Sequence, residues 1–348
     1  MIRILITEDS EVVALLLKAI FQREADFEVI GHARNGREAV QMAHDLKPDL
    51  VTMDIRMPVM DGFDATRMIM STNPVPIVVI SSSVDDEELR ITFRAIEEGA
   101  LAVLEKPHGV GHPDFETIRR ELVDTVRAMA EVKVVRRWNR PAAPSAAIFE
   151  TEIGRRHKVY ELVAVGSSTG GPQTLQAILS NLPVGFPLPI LVVQHIAKGF
   201  IGGLVSWLKG TTLLQVKLAE DTGVLEPGTV YFAPDEHHLR AVRRNGRLVA
   251  EVRRGEPVDR HCPSVSELFD SVAACCGERG VGLLLTGMGE DGARGLLQMR
   301  QRGAHTVAQD EESCVVFGMP RAAIELGAVE KVAKLAEIPA HLTDLAKE

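Results

Sequence analysis

The feature that most constrains this chain is a repeated alternation of short apolar runs with amphipathic stretches. In residues 1–125 the runs are Ile2–Thr7, Phe27–Gly31, Asp49–Met53, Ile77–Ser81 and Leu101–Leu104. Each is short and almost wholly apolar, the pattern of a parallel strand buried on both faces. Helix-like segments such as Gly36–Asp45 and Glu87–Glu98 lie between them. Such alternation predicts an α/β doubly wound sheet. Residues 159–348 repeat it, with strands expected at Leu162–Gly166, Pro189–Gln194, Val230–Ala233, Val281–Thr286 and His305–Ala308. Helices are expected there at Pro172–Leu182, Gly199–Leu208, Val265–Cys276 and Ala293–Arg302. Between the two blocks the composition changes. Val132–Trp138 is basic and Arg140–Ala147 is rich in Pro and Ala, which breaks helices and stiffens a chain. Residues 126–158 therefore read as a linker between a domain at 1–125 and a larger one at 159–348. A chain of 348 residues is the right length for two such units.

Charge narrows the function classes. A net charge of -9 gives no electrostatic affinity for a phosphate backbone, and no helix-turn-helix pattern follows residue 126, so a nucleic-acid partner is not expected. The first ten residues carry an acidic pair and no apolar h-region, unlike a secretory signal. No apolar run approaches the roughly 20 residues of a membrane span, so direct membrane insertion is not expected. Cys262, Cys275, Cys276 and Cys314 lack zinc-type spacing and read as reduced thiols of a cytoplasmic protein.

Polar chemistry sits where the apolar runs end. Glu8 and Asp9 follow the first strand, and Asp54 follows the third. A doubly wound sheet binds ligands beyond the carboxyl ends of its strands. Carboxylates gathered there repel one another until a hard cation such as Mg²⁺ relieves the repulsion, and one of them could then accept a phosphoryl group. Ser81 ends the fourth strand with a hydroxyl and Lys106 ends the fifth with an ammonium, both suited to contact an acyl phosphate on Asp54. Glu8-Asp9, Met53-Asp54-Ile55-Arg56-Met57-Pro58 with Asp61-Gly62, Ser81 and Lys106-Pro107 resemble the response-regulator receiver domain over about residues 1–125. The resemblance implies a five-stranded parallel, flavodoxin-like fold and phosphorylation of Asp54 by a chemotaxis-type histidine kinase. It implies Mg²⁺ held by Glu8, Asp9, Asp54 and the Arg56 carbonyl. One departure stands in the fifth strand, where Val103 and Leu104 lie near the position at which many receivers carry an aromatic switch.

The second block carries a different chemistry. Leu162–Gly166 runs into Ser167-Ser168-Thr169-Gly170-Gly171-Pro172, and Gly166–Gly170 fits G-x-S-x-G, a strand-to-helix turn that exposes its central serine. His195, at the end of its own strand, is the candidate base. Asp291, just past Val281–Thr286, is the candidate orienting carboxylate, with Glu290 as its rival. The order Ser…His…Asp differs from that of α/β-hydrolases. A phosphate-binding reading of Gly166–Gly171 lacks the Lys of a P-loop. His237-His238 are adjacent rather than three or four apart, which argues against a metal site and for a solvated turn.

Gly166–Pro172, Gln194-His195, Arg260-His261 with Pro263-Ser264-Val265, Leu285–Gly292 and Ala308–Pro320 are similar to the chemotaxis receptor methylesterases, the CheB-type protein-glutamate methylesterases, over about 160–348. The resemblance implies a larger, mainly parallel α/β/α hydrolase domain without a cofactor. It implies a triad of Ser168, His195 and Asp291, an oxyanion contact from the Met288 N–H, and Thr169 beside the nucleophile. It also implies methyl-accepting chemoreceptors as substrate, glutamine deamidation as a second activity, and an unphosphorylated receiver docked over the hydrolase cleft. The alternative at this stage is a receiver with a non-catalytic binding output.

Overall fold

The structure is a computed structural model that describes residues 1–81, 93–109, 111–113, 115–132, 134 and 159–347. The start of the expected helix Glu87–Glu98 and most of the expected linker 126–158 lie outside the described residues. The first residues of that stretch continue the helix Phe115–Ala130.

The N-terminal sheet holds β1 (Ile2–Thr7), β2 (Phe27–Ala33), β3 (Leu50–Met53), β4 (Ile77–Ser81) and β5 (Ala102–Glu105) in the order β2-β1-β3-β4-β5. Every pairing is parallel. Parallel neighbours need crossover segments, and helices on both faces bury both sides of each strand. That is why Leu50, Val51, Ile77, Val78 and Val79 are all 0% exposed. The order reverses between β1 and β3, so a crevice opens at the ends of the strands that carry Glu8, Asp9 and Asp54.

The second sheet is larger. It holds β6 (Leu162–Ser167), β7 (Ile190–Gln194), β8 (Gln215–Leu218), β9 (Thr229–Phe232), β12 (Gly280–Leu284), β13 (His305–Gln309) and β14 (Lys331–Ala333). Their order is β14-β13-β12-β6-β7-β9-β8, and all pairs are parallel. The chain enters in the middle at β6, runs one way to β8, then returns to place β12 on the other side of β6. The switch point therefore lies between β6 and β12. Phe200, Phe232 and Phe269 are fully buried in this unit, and burying each such side chain contributes about 1.5–3 kcal/mol.

An antiparallel hairpin, β10 (His237–Arg244) and β11 (Arg247–Arg254), stands apart from both sheets. It corrects the sequence reading of His237-His238 as a solvated turn. His238 is 3% exposed, its Nε2 meets the Glu256 carbonyl at 3.0 Å, and its Nδ1 accepts the Ser264 N–H at 3.3 Å. The hairpin's arginines hide its periodicity, because Arg240 and Arg253 are paired with Glu267 at 2.5 and 2.8 Å.

The two units touch. Phe93 stacks on Trp207 with ring centroids 5.9 Å apart, and the Trp207 indole N–H donates to Glu97 at 2.8 Å. The Gln173 amide donates to the Ala100 carbonyl. Val315 and Val316 pack against the core of the N-terminal unit.

Candidate active site

The first polar cluster lies at the carboxyl ends of β1, β3, β4 and β5. Carboxylate oxygens of Glu8, Asp9 and Asp54 lie within 4.8 Å of one another. Glu8 and Asp54 are buried and Asp9 is exposed. Lys106 Nζ bridges the two buried acids, 2.8 Å from Glu8 and 2.9 Å from Asp54. Burial pushes both carboxyls up from the usual range, and the Lys106 bonds only partly offset it. Burial alone would lower Lys106, but its bonds to Glu8 and Asp54 outweigh that and raise it. The buried Ser81 ends β4, opposite Glu105 in register. Arg56 follows two residues after Asp54, and its side chain is exposed. Three carboxylates with a half-buried ammonium form a set of hard oxygen donors that a divalent cation suits.

The second cluster forms at the switch point of the larger sheet. Ser168 follows β6, His195 follows β7, and Asp291 follows β12 by a short loop. His195 Nε2 lies 3.0 Å from Asp291 Oδ2. The rival, Glu290, is exposed and takes no part in that bond. His195 Nδ1 is buried and has no hydrogen-bond partner among the described residues.

Asp291 is 2% exposed, and a carboxylate so buried needs compensation. The start of the helix Val265–Cys275 supplies it: Ser264 Oγ and the Ser266 N–H donate to Oδ1 at 3.0 Å each, and the Val265 N–H donates to Oδ2 at 2.7 Å. Free N–H groups and the positive end of the dipole favour an anion there. Burial pushes the Asp291 carboxyl up, but the bond and charge of His195 and the Ser266 bonds hold it well below the usual carboxylate range.

Around Ser168 the loops are tied by amides and a hydroxyl. Ser167 Oγ donates to Gln194 Oε1 at 2.6 Å, and Gln194 Nε2 donates to the carbonyls of Ser168 and His195 at 2.8 Å each. Thr286 Oγ1 donates to the Thr169 carbonyl and accepts the Val316 N–H, both at 2.9 Å. The Ser168 N–H is spent on the Thr286 carbonyl at 3.0 Å. The Met288 N–H meets no acceptor among the described residues. Gly287 must be glycine, since a Cβ there would sit 2.7 Å from Ser168 Cβ. Gly170 caps the following helix at φ 78°, a left-handed conformation that glycine adopts freely.

The sequence reading missed Ser264, Ser266, Gln194 and Thr286 as parts of the site. A legible signal existed for the first two. Ser264-Val265-Ser266-Glu267 is a capping-box pattern, and Ser264 Oγ does accept the Glu267 N–H at 3.4 Å. Glu121, on the helix Phe115–Ala130, is exposed and lies near enough to Glu105 and His195 to feel both.

Residues 163–342 match the model of the CheB methylesterase family, and residues 4–112 match the response regulator receiver domain. A protein-glutamate methylesterase/protein-glutamine glutaminase of Nitrosospira multiformis is 46% identical over all of this chain and 98% of its own length. One from Geobacter metallireducens is 47% identical over the whole of both chains. The crystal structure of the Thermotoga maritima CheB methylesterase catalytic domain is 39% identical, with a TM-score of 0.52, over 53% of this chain and 98% of that one. With more than half of its length matched by the family model and full-length relatives at this identity, the chain belongs to the CheB methylesterase family, with a response regulator receiver domain ahead of the methylesterase domain.

Proposed function

We propose that this chain hydrolyses glutamate methyl esters on chemoreceptors, using Ser168, His195 and Asp291, and that phosphorylation of Asp54 controls the reaction. The observation that carries the catalytic part is the His195–Asp291 pair at the switch point, one strand end from Ser168. The Nε2 proton is committed to Asp291, which leaves the lone pair on the unpartnered Nδ1. Nδ1 is then the base, the reverse of the usual template, in which the carboxylate holds Nδ1.

Ser168 Oγ attacks the ester carbonyl and its proton passes to His195 Nδ1. The Met288 N–H, with Thr169 beside the nucleophile, receives the negative charge that develops on the carbonyl oxygen. The carbonyl–methoxy bond breaks, the proton on Nδ1 goes to the leaving oxygen, and methanol departs. Water, activated by the same nitrogen, then cleaves the acyl-serine to free glutamate. Asp291 stabilises the imidazolium throughout. A receptor glutamine meets the same machinery with ammonia as the leaving group, which is how the chain would also deamidate. No step calls for a cofactor in this domain.

In the receiver, Glu8, Asp9, Asp54 and the Arg56 carbonyl would hold Mg²⁺, which when bound offsets the charge of the incoming phosphoryl oxygens. Asp54 accepts the phosphoryl group from a chemotaxis histidine kinase, and Ser81 and Lys106 contact it. The contacts of Trp207, Gln173, Val315 and Val316 with the N-terminal unit support a docked, restraining receiver in the unphosphorylated state. No helix among the described residues is long and apolar enough to cross a membrane, which suits a cytoplasmic enzyme acting on the inner part of its receptors.

The test is methanol release from methylated receptor membranes, with Mg²⁺ and a small phosphodonor present or absent. Release that rises with phosphodonor and falls about 10⁴-fold in Ser168→Ala is the expected result. Equal release from that variant would overturn the triad.

A further inference from the structure

Residues Val258–His261 close a turn on themselves. The Val258 N–H donates to the His261 carbonyl at 3.0 Å and the His261 N–H to the Val258 carbonyl at 2.9 Å. The central residues have φ of 49° at Asp259 and 71° at Arg260. Two consecutive positive φ values mark the type I′ geometry, in which Asn and Gly are the ordinary residues. An arginine there is held against its preference, and such conformations persist where the surroundings fix them and cluster at functional sites.

What the turn delivers is His261. Its ring lies flat on that of His195, with centroids 4.0 Å apart and planes 5° from parallel. Three to five residues later the same segment supplies all three bonds that Ser264, Val265 and Ser266 make to Asp291. One stretch of nine residues, 258–266, therefore grips both the imidazole and its carboxylate.

We propose that His261 is a positioning residue for His195, a flat and uncharged ring that fixes the plane of the base and adds no charge beside the imidazolium. This rests on the Ser168/His195/Asp291 reading. A single bond from Nε2 to Asp291 sets the direction of the His195 ring but leaves it free to turn about that bond. Nδ1 has no hydrogen-bond partner among the described residues to stop the rotation. Aiming Nδ1 at Ser168 thus depends on what packs against the ring faces, and His261 covers one of them. Neutrality matters as much as shape, because a second cation at 4.0 Å would oppose proton transfer to His195. Burial, and then the charge of His195, pull His261 down to about 4, so the ring is uncharged at neutral pH. The other charged groups that bear on the pair are Asp291, Arg260, Asp259 and, from the receiver helix, Glu121.

The experiment measures methanol release by the full chain on methylated receptor membranes, with phosphodonor, as a function of pH. His261→Ala, His261→Phe and His261→Arg are compared with wild type, with Ser168→Ala alongside. The alanine variant is expected to lose about 10²-fold in kcat with KM unchanged. Phenylalanine, flat and neutral, recovers most of that loss. Arginine, flat and charged, stays slow and moves the acid limb of the rate profile to lower pH. Wild-type kcat in the alanine variant, a phenylalanine variant as slow as alanine, or an arginine variant with an unmoved acid limb each overturns the inference. Should the alanine variant not fold, the phenylalanine–arginine pair decides. Release that persists in Ser168→Ala removes the triad and this role together, whereas failure of the His261 series alone leaves the triad standing.

Discussion

Replacing Asp291 with Asn tests the site more sharply than deleting it. The two side chains have the same shape, so the change is one of charge and donor count. Oδ1 accepts from Ser264 Oγ and the Ser266 N–H, and Oδ2 accepts from the Val265 N–H and His195 Nε2. An amide must put its NH₂ on one side or the other. On the Oδ2 side it faces the Val265 N–H, and His195 must move its proton to Nδ1 to accept from it, which removes the base. On the Oδ1 side the Ser264 hydroxyl can turn to accept, but the Ser266 N–H is left facing a donor and the imidazolium loses its counter-charge. Either rotamer leaves at least one buried N–H unsatisfied, at a cost of about 1–3 kcal/mol in stability. Either also removes the stabilised imidazolium, which in comparable triads costs about 10⁴-fold in kcat. There is a pH signature as well. Asp291 is held low in the folded chain, so its contribution is present above the unfolded value of about 4 and is lost as pH falls through the folded one. The variant lacks that part of the acid sensitivity. The assay pairs single-turnover methanol release with urea unfolding at several pH values. Retention of more than about a tenth of the wild-type rate by a folded variant would refute the role given to Asp291.

Three further outcomes are expected. Millimolar Mg²⁺ should raise the thermal midpoint of the full chain and EDTA should reverse it, with the shift lost in Asp54→Ala; an equal shift in that variant would place the cation elsewhere. Glu97→Ala removes the acceptor of the Trp207 indole N–H, and loss of a hydrogen bond to a charged group, about 1.5–3 kcal/mol, should raise the release rate without phosphodonor by roughly tenfold or more. An unchanged basal rate would count against a restraining interface there. His341, beside Lys331 and His305, is pulled down to about 4, first by burial and then by those neighbours, whereas the unfolded histidine titrates near ~6.5. Between these values the unfolded chain binds more protons, so this stability is full above pH ~6.5 and lost as pH falls toward about 4. His341→Gln should flatten that slope in urea titrations, and an identical slope would exonerate His341.

The two sheets were legible because parallel strands covered on both faces are nearly continuous apolar runs, and each expected run falls on a strand or overlaps one. β8, β14 and the β10–β11 hairpin were not. Gln215–Leu218 alternates in exposure at the sheet edge, and the hairpin's arginines are neutralised by Glu236, Glu251 and Glu267, partners that no local pattern shows. Among the site residues, those at strand ends were legible, because chain position alone puts them at the sheet edge. His261 and the donors to Asp291 come from a loop and a helix start. Their role depends on a crossing of chain segments that the sequence does not encode locally.

That division has a physical cause. A strand end is fixed by the hydrogen-bond ladder, so a side chain just past it inherits a position good enough to bring Ser168, His195 and Asp291 near one another. Nearness is not yet a triad. The imidazole has a rotational freedom that no ladder removes, and Asp291 carries a buried charge that no strand can satisfy. Both needs are met by one segment, 258–266, which reaches the switch point from the hairpin side and ends as the start of a helix. The strands determine which residues meet, and this segment determines whether they are aimed. A substitution of His261, which makes none of the bonds to Asp291, should therefore lower kcat while leaving the unfolding midpoint near wild type. That separates it from a core change in β6 or β12, where rate and stability should fall together.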